Sequence, residues 1–211
     1  MKQGIFITFE GPDGSGKTTH AKLLAQWLEK QGFSVVLTRE PGGTPFAESI
    51  RKLLLKPGEN VFPATELLLY AASRAQHTQE LIKPALAKGK FVLSDRYSDS
   101  TVAYQHFGRS LDINIINELN KIATGGLKPD LTVVIDIKTN RGMDRVSRNR
   151  AKDRLENENS LFHGRIRKGF LALSRKEPGR IKVITSGGSI QGTQEKILKI
   201  TREFLKRKKL S

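Results

Sequence analysis

The feature that most constrains this chain is the run Gly11-Pro12-Asp13-Gly14-Ser15-Gly16-Lys17-Thr18, followed by Thr19. It fills the phosphate-cradling pattern G-x-x-x-x-G-K-[ST] at every position. Before it, Ile5-Phe6-Ile7-Thr8-Phe9 is a short apolar run with the β-branched and aromatic bias of a buried strand. After it, Leu23, Leu24, Trp27 and Leu28 recur at helical spacing, and Gly32 stands where a helix C-terminus is expected. The chemistry needs strand, glycine loop and helix in that order. Gly11, Gly14 and Gly16 let successive backbone N–H groups converge on one anion. The helix opening near Lys17 adds the positive end of its dipole. The Lys17 ammonium is expected to reach the β- and γ-phosphates, and the Thr18 hydroxyl to be a Mg2+ ligand. Residues Gly11 to Thr19 are therefore expected to bind a nucleoside triphosphate.

The rest of the chain alternates strand and helix. Strands are expected at 34–38, 91–94, 131–137 and 181–184, each a continuous apolar run. Helices are expected from Phe46 to about Lys56, from about Ala64 with a break near Pro84, from Asp112 as N-cap through Ile122, around 161–173, and at the C-terminus through Phe204. Continuous apolar strands alternating with helices indicate an α/β fold: a five-stranded parallel sheet flanked by helices in three layers, the P-loop NTPase architecture. Ligands of such sheets sit beyond the carboxyl ends of the strands. The glycine loop, Arg39 and Asp95-Arg96 all follow strands, so topology alone directs them to one crevice.

A length of 211 residues fits one core, and residues 1–211 are expected to form a single domain. The net charge of +16 suits either a nucleic acid or a small polyanion held among arginines. The absence of cysteine excludes disulfides and thiolate metal sites. No apolar run reaches the ~18 residues of a membrane span, and the expected first strand leaves no space for a leader, so no membrane and a cytoplasmic location are expected. Asn120-Lys121-Ile122-Ala123 lacks the aspartate of the guanine-reading N-K-x-D segment of GTP hydrolases. Asp13 is unusual inside a phosphate loop, where its charge repels the anion, so it is expected to have a specific partner.

In combination, five segments resemble the thymidylate (dTMP) kinase family. They are Glu10 to Thr19, Thr38-Arg39-Glu40-Pro41-Gly42-Gly43-Thr44, Ser73-Arg74, Asp95-Arg96-Tyr97 with Ala103-Tyr104-Gln105, and Asp153-Arg154-Leu155-Glu156. The resemblance spans nearly the whole chain. It implies Mg2+-dependent phosphoryl transfer from ATP to dTMP, giving dTDP and ADP, in a homodimer with no nucleic-acid partner. Arg39 resembles the arginine that binds the acceptor phosphate, a role that suits a guanidinium fork. Asp95 resembles the carboxylate that holds Mg2+-bound water, with Asp136 as its rival, and Arg96 resembles the clamp on the phosphates. Tyr70, one helical turn before Arg74, resembles the aromatic that stacks on thymine; Arg74, Thr101 and Gln105 resemble the base's polar contacts. By the same resemblance, Asp13 takes the 3′-hydroxyl of the dTMP sugar. The arginine-rich stretch at about 141–156 resembles a lid, with Arg148 or Arg150 supplying charge to the transferring phosphoryl, and the spacing leaves open which. Lys17, Arg96, Arg148 and Arg150 are thus the expected catalytic group. The peptide Glu40-Pro41 is a candidate cis bond. Another nucleoside-monophosphate kinase is the nearest rival reading, and a nucleic-acid-binding P-loop ATPase the rival from a different class.

Overall fold

Five strands, β1 (Ile5–Glu10), β2 (Val35–Arg39), β3 (Phe91–Asp95), β4 (Leu131–Asp136) and β5 (Ile181–Thr185), lie parallel in the order β2-β3-β1-β4-β5. The computed structural model describes residues 4–149, 153–186 and 188–210, the side chains of 148 and 149 excepted. Arg150 and the Arg148 side chain therefore lie outside the described residues. The helices are α1 (Lys17–Lys30), α2 (Pro45–Leu55), α3 (Pro63–His77), α4 (Lys83–Ala87), α5 (Ser98–Thr101), α6 (Ile113–Thr124), α7 (Thr139–Asn149), α8 (Ser160–Lys176) and α9 (Ile190–Arg207).

The strands are apolar throughout because both sheet faces are covered. Ile5, Ile7 and Phe9 of β1 pack with Leu24 and Leu28 of α1 and Ile197 and Phe204 of α9. Leu24 and Leu28 are fully buried, and each contributes about 1.5–3 kcal/mol by leaving water. On the other face, Phe6 packs with Ile82, Val92 and Tyr97, and Val134 with Tyr104, Phe162 and Phe170. This second face also carries the buried polar side chains Thr8, Glu10 and Thr132.

Parallel register sets the ends of the strands side by side. Arg39 pairs with Asp95, and Asp95 with Phe9, two residues before the glycine loop. The chain moves from β1 to one side for β2 and β3 and to the other for β4 and β5, so the loop after β1 opens at the reversal point of the sheet.

The expected break near Pro84 takes a definite form. Helix α3 ends at His77, a π-helical stretch spans Thr78–Ile82, and α4 opens with Pro84 in its first turn, where a missing N–H costs nothing. A second π-helical stretch, Val102–Gly108, carries Tyr104 and Gln105. Asp112 caps α6 by accepting from the Asn114 N–H at 2.7 Å. Several apolar residues that mark the helices in the sequence face outward: Phe46 and Leu53 on α2, Leu68 on α3, and Ile115 and Ile122 on α6 are 56–73% exposed. Phe46 and Leu53, like Ile115 and Ile122, stand seven residues apart, so each pair shares one side of its helix.

Candidate active site

The carboxyl ends of the strands open into a cavity of about 720 Å3. Asp13 to Thr19, Arg39, Tyr70, Arg74, Asp95, Arg96, Thr101 and Gln105 all line it. The structure thus brings together nearly every described residue that the sequence reading assigned to a site; Gly11 and Pro12 form the loop's entry.

The glycine loop is built by close backbone approach. Gly11, at φ 132°, lies against the Ile135 carbonyl, and Gly14, at φ 71°, lies against the Gly142 carbonyl of α7. A Cβ at either would collide with backbone. Among the described residues no side chain caps α1, so its first N–H groups stand ready for an anion. The Ser15 hydroxyl is buried within the loop with no partner among the described residues. Lys17 is buried at the head of α1, with Nζ donating to the Gly11 carbonyl at 3.1 Å and the Pro12 carbonyl at 2.9 Å.

Thr18 and Asp95 meet directly, the Thr18 hydroxyl donating to the Asp95 carboxylate in a short hydrogen bond. Hard oxygen donors of this kind, few in number and beside a triphosphate site, suit Mg2+, which takes phosphates and water as its remaining ligands. Asp136, the rival carboxylate, is instead held by Arg167 in a bidentate pair at 2.7 and 2.8 Å.

Arg96 sits at the centre of the site. Its Nη2 donates to Asp13 Oδ1 at 2.5 Å and to the Tyr104 hydroxyl at 2.9 Å, and Nη1 donates to the Gly11 carbonyl at 3.2 Å. Tyr104 in turn donates to Asp13 Oδ2 at 2.6 Å. Asp13 therefore has the specific partners that its position demands. Burial opposes its charge, but the Arg96 guanidinium, the Lys17 ammonium and the Tyr104 hydroxyl outweigh it and hold the carboxyl at about 2.

The far end of the cavity is polar but tightly ordered. Arg74 is 2% exposed. Its Nε donates to Glu40 Oε2 at 2.7 Å, Nη1 to Thr101 Oγ1 at 2.7 Å and Asn120 Oδ1 at 2.8 Å, and Nη2 to the Tyr97 carbonyl at 3.0 Å. Four of its five N–H groups are thus committed, leaving one on Nη2. Gln105 Nε2 donates to Glu66 Oε1 at 2.9 Å, which fixes the amide and leaves its oxygen as acceptor. Tyr70 stands half-buried on the wall, one turn from both Glu66 and Arg74.

Arg39 is more than half exposed, and its Nη2 donates to both carboxylate oxygens of Glu48 at 3.2 Å. Such a pair is worth little in water, so an incoming phosphate can displace it. The Glu40-Pro41 peptide that follows is cis. Helix α7 seats on the glycine loop through the Gly14–Gly142 contact, and Arg145 Nη1 donates to the Gly14 carbonyl at 3.4 Å.

Several functional neighbours were not singled out from the sequence. Glu66 accepts from Gln105 and Arg109 and is ion-paired with Arg154, and Glu40 accepts from Arg74. The spacing of Glu66, Tyr70 and Arg74, one turn apart on one helix, was a usable signal for the first. Nothing local pointed to Asn120, which comes from α6, or to Arg51, which lines the cavity and donates to the Pro41 carbonyl at 2.8 Å.

The electrostatics predict a pH effect on nucleotide binding. Burial and the Arg96 guanidinium push Lys17 down to about 8, against the pull of Asp13, Asp95 and Glu10. A bound triphosphate restores the proton. Binding near pH 8 should therefore take up protons, and affinity for ATP should fall as pH rises through that value. Calorimetric titration with ATP in two buffers of different ionisation enthalpy measures the uptake; equal apparent enthalpies would contradict it.

Comparison with known proteins agrees with this geometry. A family model described as thymidylate kinase matches residues 9–197. The chain is 49% identical over 203 residues to a thymidylate kinase of Gloeobacter violaceus, covering 95% of this chain and 96% of the relative. It is 48% identical over 199 residues to a thymidylate kinase of Geotalea daltonii, covering 90% and 93%. The crystal structure of a thymidylate kinase from Ehrlichia chaffeensis matches with a TM-score of 0.77 and 36% identity, over 94% of this chain and 99% of that one. With matches of this extent over a glycine loop, an Asp95-Arg96 pair and an arginine-glutamine pocket on one cavity, the chain belongs to the thymidylate kinase family.

Proposed function

We propose that the protein is a dTMP kinase, a single kinase domain with a short arginine-rich lid, supplying dTDP toward dTTP. A 5′-phosphate oxygen of dTMP attacks the γ-phosphorus of ATP, the bond to the β,γ-bridging oxygen breaks, and ADP leaves. The observation that carries this reading is that one cavity joins a triphosphate loop to a pocket whose polar groups match thymine. Lys17 and the N–H groups of the loop and α1 hold the donor phosphates. Arg39 and Arg96 hold the acceptor phosphate, and Arg96 meets the charge that develops between the two. Asp13 orients the sugar. Thr18, and Asp95 through water, would hold Mg2+, which would supply positive charge against the donor phosphates.

The base is read by polarity. The remaining Arg74 Nη2–H suits the thymine O4 acceptor, and the Gln105 amide oxygen suits the N3–H donor. Arg74 donates to Thr101 Oγ1, so the Thr101 hydroxyl hydrogen is available to a second acceptor. Cytosine inverts both signals, placing an amino donor before Arg74 and an acceptor before Gln105. Each buried mismatch costs about 1–3 kcal/mol, more where charge is involved. ADP release measured over a panel of monophosphates tests the assignment. dTMP should be strongly preferred to dCMP and to purine monophosphates, and Arg74→Ala should erode the preference over dCMP. Equal use of dTMP and dCMP by the native protein would overturn the pocket reading.

The active form is a homodimer, supported by the outward apolar residues of α2, α3 and α6, which are neighbouring helices. Exposed apolar side chains on neighbouring helices are suited to association. Leu53→Asp with Ile122→Asp should convert a dimer to a monomer in sedimentation; an unchanged mass would exclude this face. No helix among the described residues is long and apolar enough to cross a membrane. The need for ATP supports a cytoplasmic reaction.

A further inference from the structure

We infer that Glu10, a residue too deep to touch either nucleotide, is the positioning residue that fixes Arg96 over the phosphate site, one carboxylate oxygen holding the backbone after Arg96 and the other holding its guanidinium through Ser100. This rests on the proposed role of Arg96.

Arg96 needs fixing. Its backbone lies at φ 75°, in the left-handed region that a side-chain-bearing residue adopts only at a cost in free energy. Every backbone group around that point is tied. The Arg96 N–H donates to the Phe9 carbonyl at 2.9 Å, its own carbonyl accepts from the Ser94 hydroxyl at 2.7 Å, and the next N–H, that of Tyr97, donates to Glu10 Oε1 at 2.8 Å. The turn in the left-handed region is what directs the Arg96 side chain back over the glycine loop while Tyr97 enters the core, where it is fully buried against Phe6.

The second oxygen of Glu10 acts on the head group. Ser100 Oγ donates to Glu10 Oε2 at 2.5 Å and accepts from Arg96 Nη1 at 3.0 Å. A chain of hydrogen bonds thus runs from carboxylate to hydroxyl to guanidinium. Glu10 has zero exposure and stands on the sheet face away from α1, at the last position of β1. What it provides is two acceptor directions from one rigid strand, aimed at two parts of the same arginine.

The contacts also survive protonation of the acid. Burial and the nearby Asp99 push Glu10 up to about 8, although Ser100, Arg96 and the Tyr97 N–H favour its charge. In the neutral form, Oε1 still accepts from Tyr97 and the acid hydrogen turns to Ser100 Oγ, which goes on accepting from Arg96. Glutamine has the same shape and the same polarity as that neutral acid. It can therefore stand in for Glu10, whereas alanine removes both contacts.

The test is steady-state kinetics with ATP and dTMP on Arg96→Ala, Glu10→Ala, Glu10→Gln, Ser100→Ala and the double variants carrying Arg96→Ala. Glu10→Ala should lower kcat by about 10–100-fold, the range seen when a group that orients an active-site ligand is lost, with a much smaller change in KM for ATP. Glu10→Gln should recover most of that loss. In the Arg96→Ala background, Glu10→Ala should add little further, because the residue through which it acts is gone. Full additivity in the double variant, or native kcat in Glu10→Ala, would overturn the inference. Should Glu10→Ala fail to fold, Ser100→Ala cuts only the link to the guanidinium, and the same non-additivity with Arg96→Ala must appear. Native kcat in Arg96→Ala itself would instead remove the role assigned to Arg96. A loss in Arg96→Ala with none in Glu10→Ala or Ser100→Ala would leave that role standing and sink Glu10 alone.

Discussion

Replacing Lys17 by alanine should lower turnover by about 1,000-fold and leave the fold standing. Among the described residues, the Lys17 ammonium donates hydrogen bonds to the Gly11 and Pro12 carbonyls, and Lys17 is not part of the apolar core cluster around α1. Alanine at the first position of α1 has the higher helix propensity, so the helix keeps its start. The loss falls on the reaction, where a preorganised cation faces the phosphates in a largely buried site. Removal of one such charge-stabilising donor costs about 100–1,000-fold in kcat. Here the effect should be at the upper end, because Arg96 is committed to Asp13 and Tyr104 as well as to the acceptor side. Circular dichroism and thermal unfolding establish the folded state, and coupled ADP release gives the rate. A correctly folded variant with near-native activity would remove the glycine loop from the mechanism.

The second large effect should come from the lid. The transferring phosphoryl needs a positive group that reaches it in the closed state, and the loop residues Pro12, Asp13, Gly14 and Ser15 provide none. Helix α7 is seated directly on that loop by the contact of Gly14 with Gly142. Arg145 lines the cavity one turn beyond Gly142, and Arg148 follows three residues later on the same helix. Arg150 continues the series toward Asp153 and Arg154. Beyond the undescribed residues, Arg154 Nε donates to the Leu54 carbonyl at 2.9 Å and Nη2 is paired with Glu66 at 2.7 Å. We propose that this arginine-rich stretch acts as a lid and brings Arg148 or Arg150 to the transferring phosphoryl on closure. In other phosphoryl-transfer enzymes an arginine supplied this way is worth about 1,000–100,000-fold in kcat. Arg148→Ala or Arg150→Ala should therefore lower kcat far more than it raises the KM for ATP, the signature of an interaction made in the transition state. If Arg145→Ala, Arg148→Ala and Arg150→Ala all keep native kcat, the lid is a cover and the charge comes from Arg96.

These two effects differ in how far they could be seen in the chain itself. Lys17 was legible because strand, loop and helix are contiguous, so residue spacing alone fixes the geometry around the phosphate. Arg39 and Asp95-Arg96 were legible at one remove. They end apolar strands, and parallel pairing brings strand ends together, as the pairing of Arg39 with Asp95 bears out. The break near Pro84 was legible as a break but not as a π-helical stretch, because the pattern shows where an N–H is missing and not how the carbonyls behind it are satisfied. The outward apolar residues of α2 and α6 were hidden by the same logic. Periodicity marks an apolar face without saying what covers it.

By itself, then, the sequence determined the parallel α/β sheet, the order of its elements and the loop that takes a triphosphate. Each of these follows from hydrophobic period, backbone freedom at glycine, and neighbours within a few residues. Only the tertiary structure decided the partners of the site's charges. Arg74 is held by Glu40, Tyr97, Thr101 and Asn120, between 23 and 46 residues away. Arg96 is held by Asp13, 83 residues away, and through Ser100 by Glu10, 90 residues from that serine. A buried ion or donor must find its partner wherever the packed layers bring one within about 3 Å. That distance is set by strand order, register and helix packing, none of which is written in the local spacing of the residues that meet.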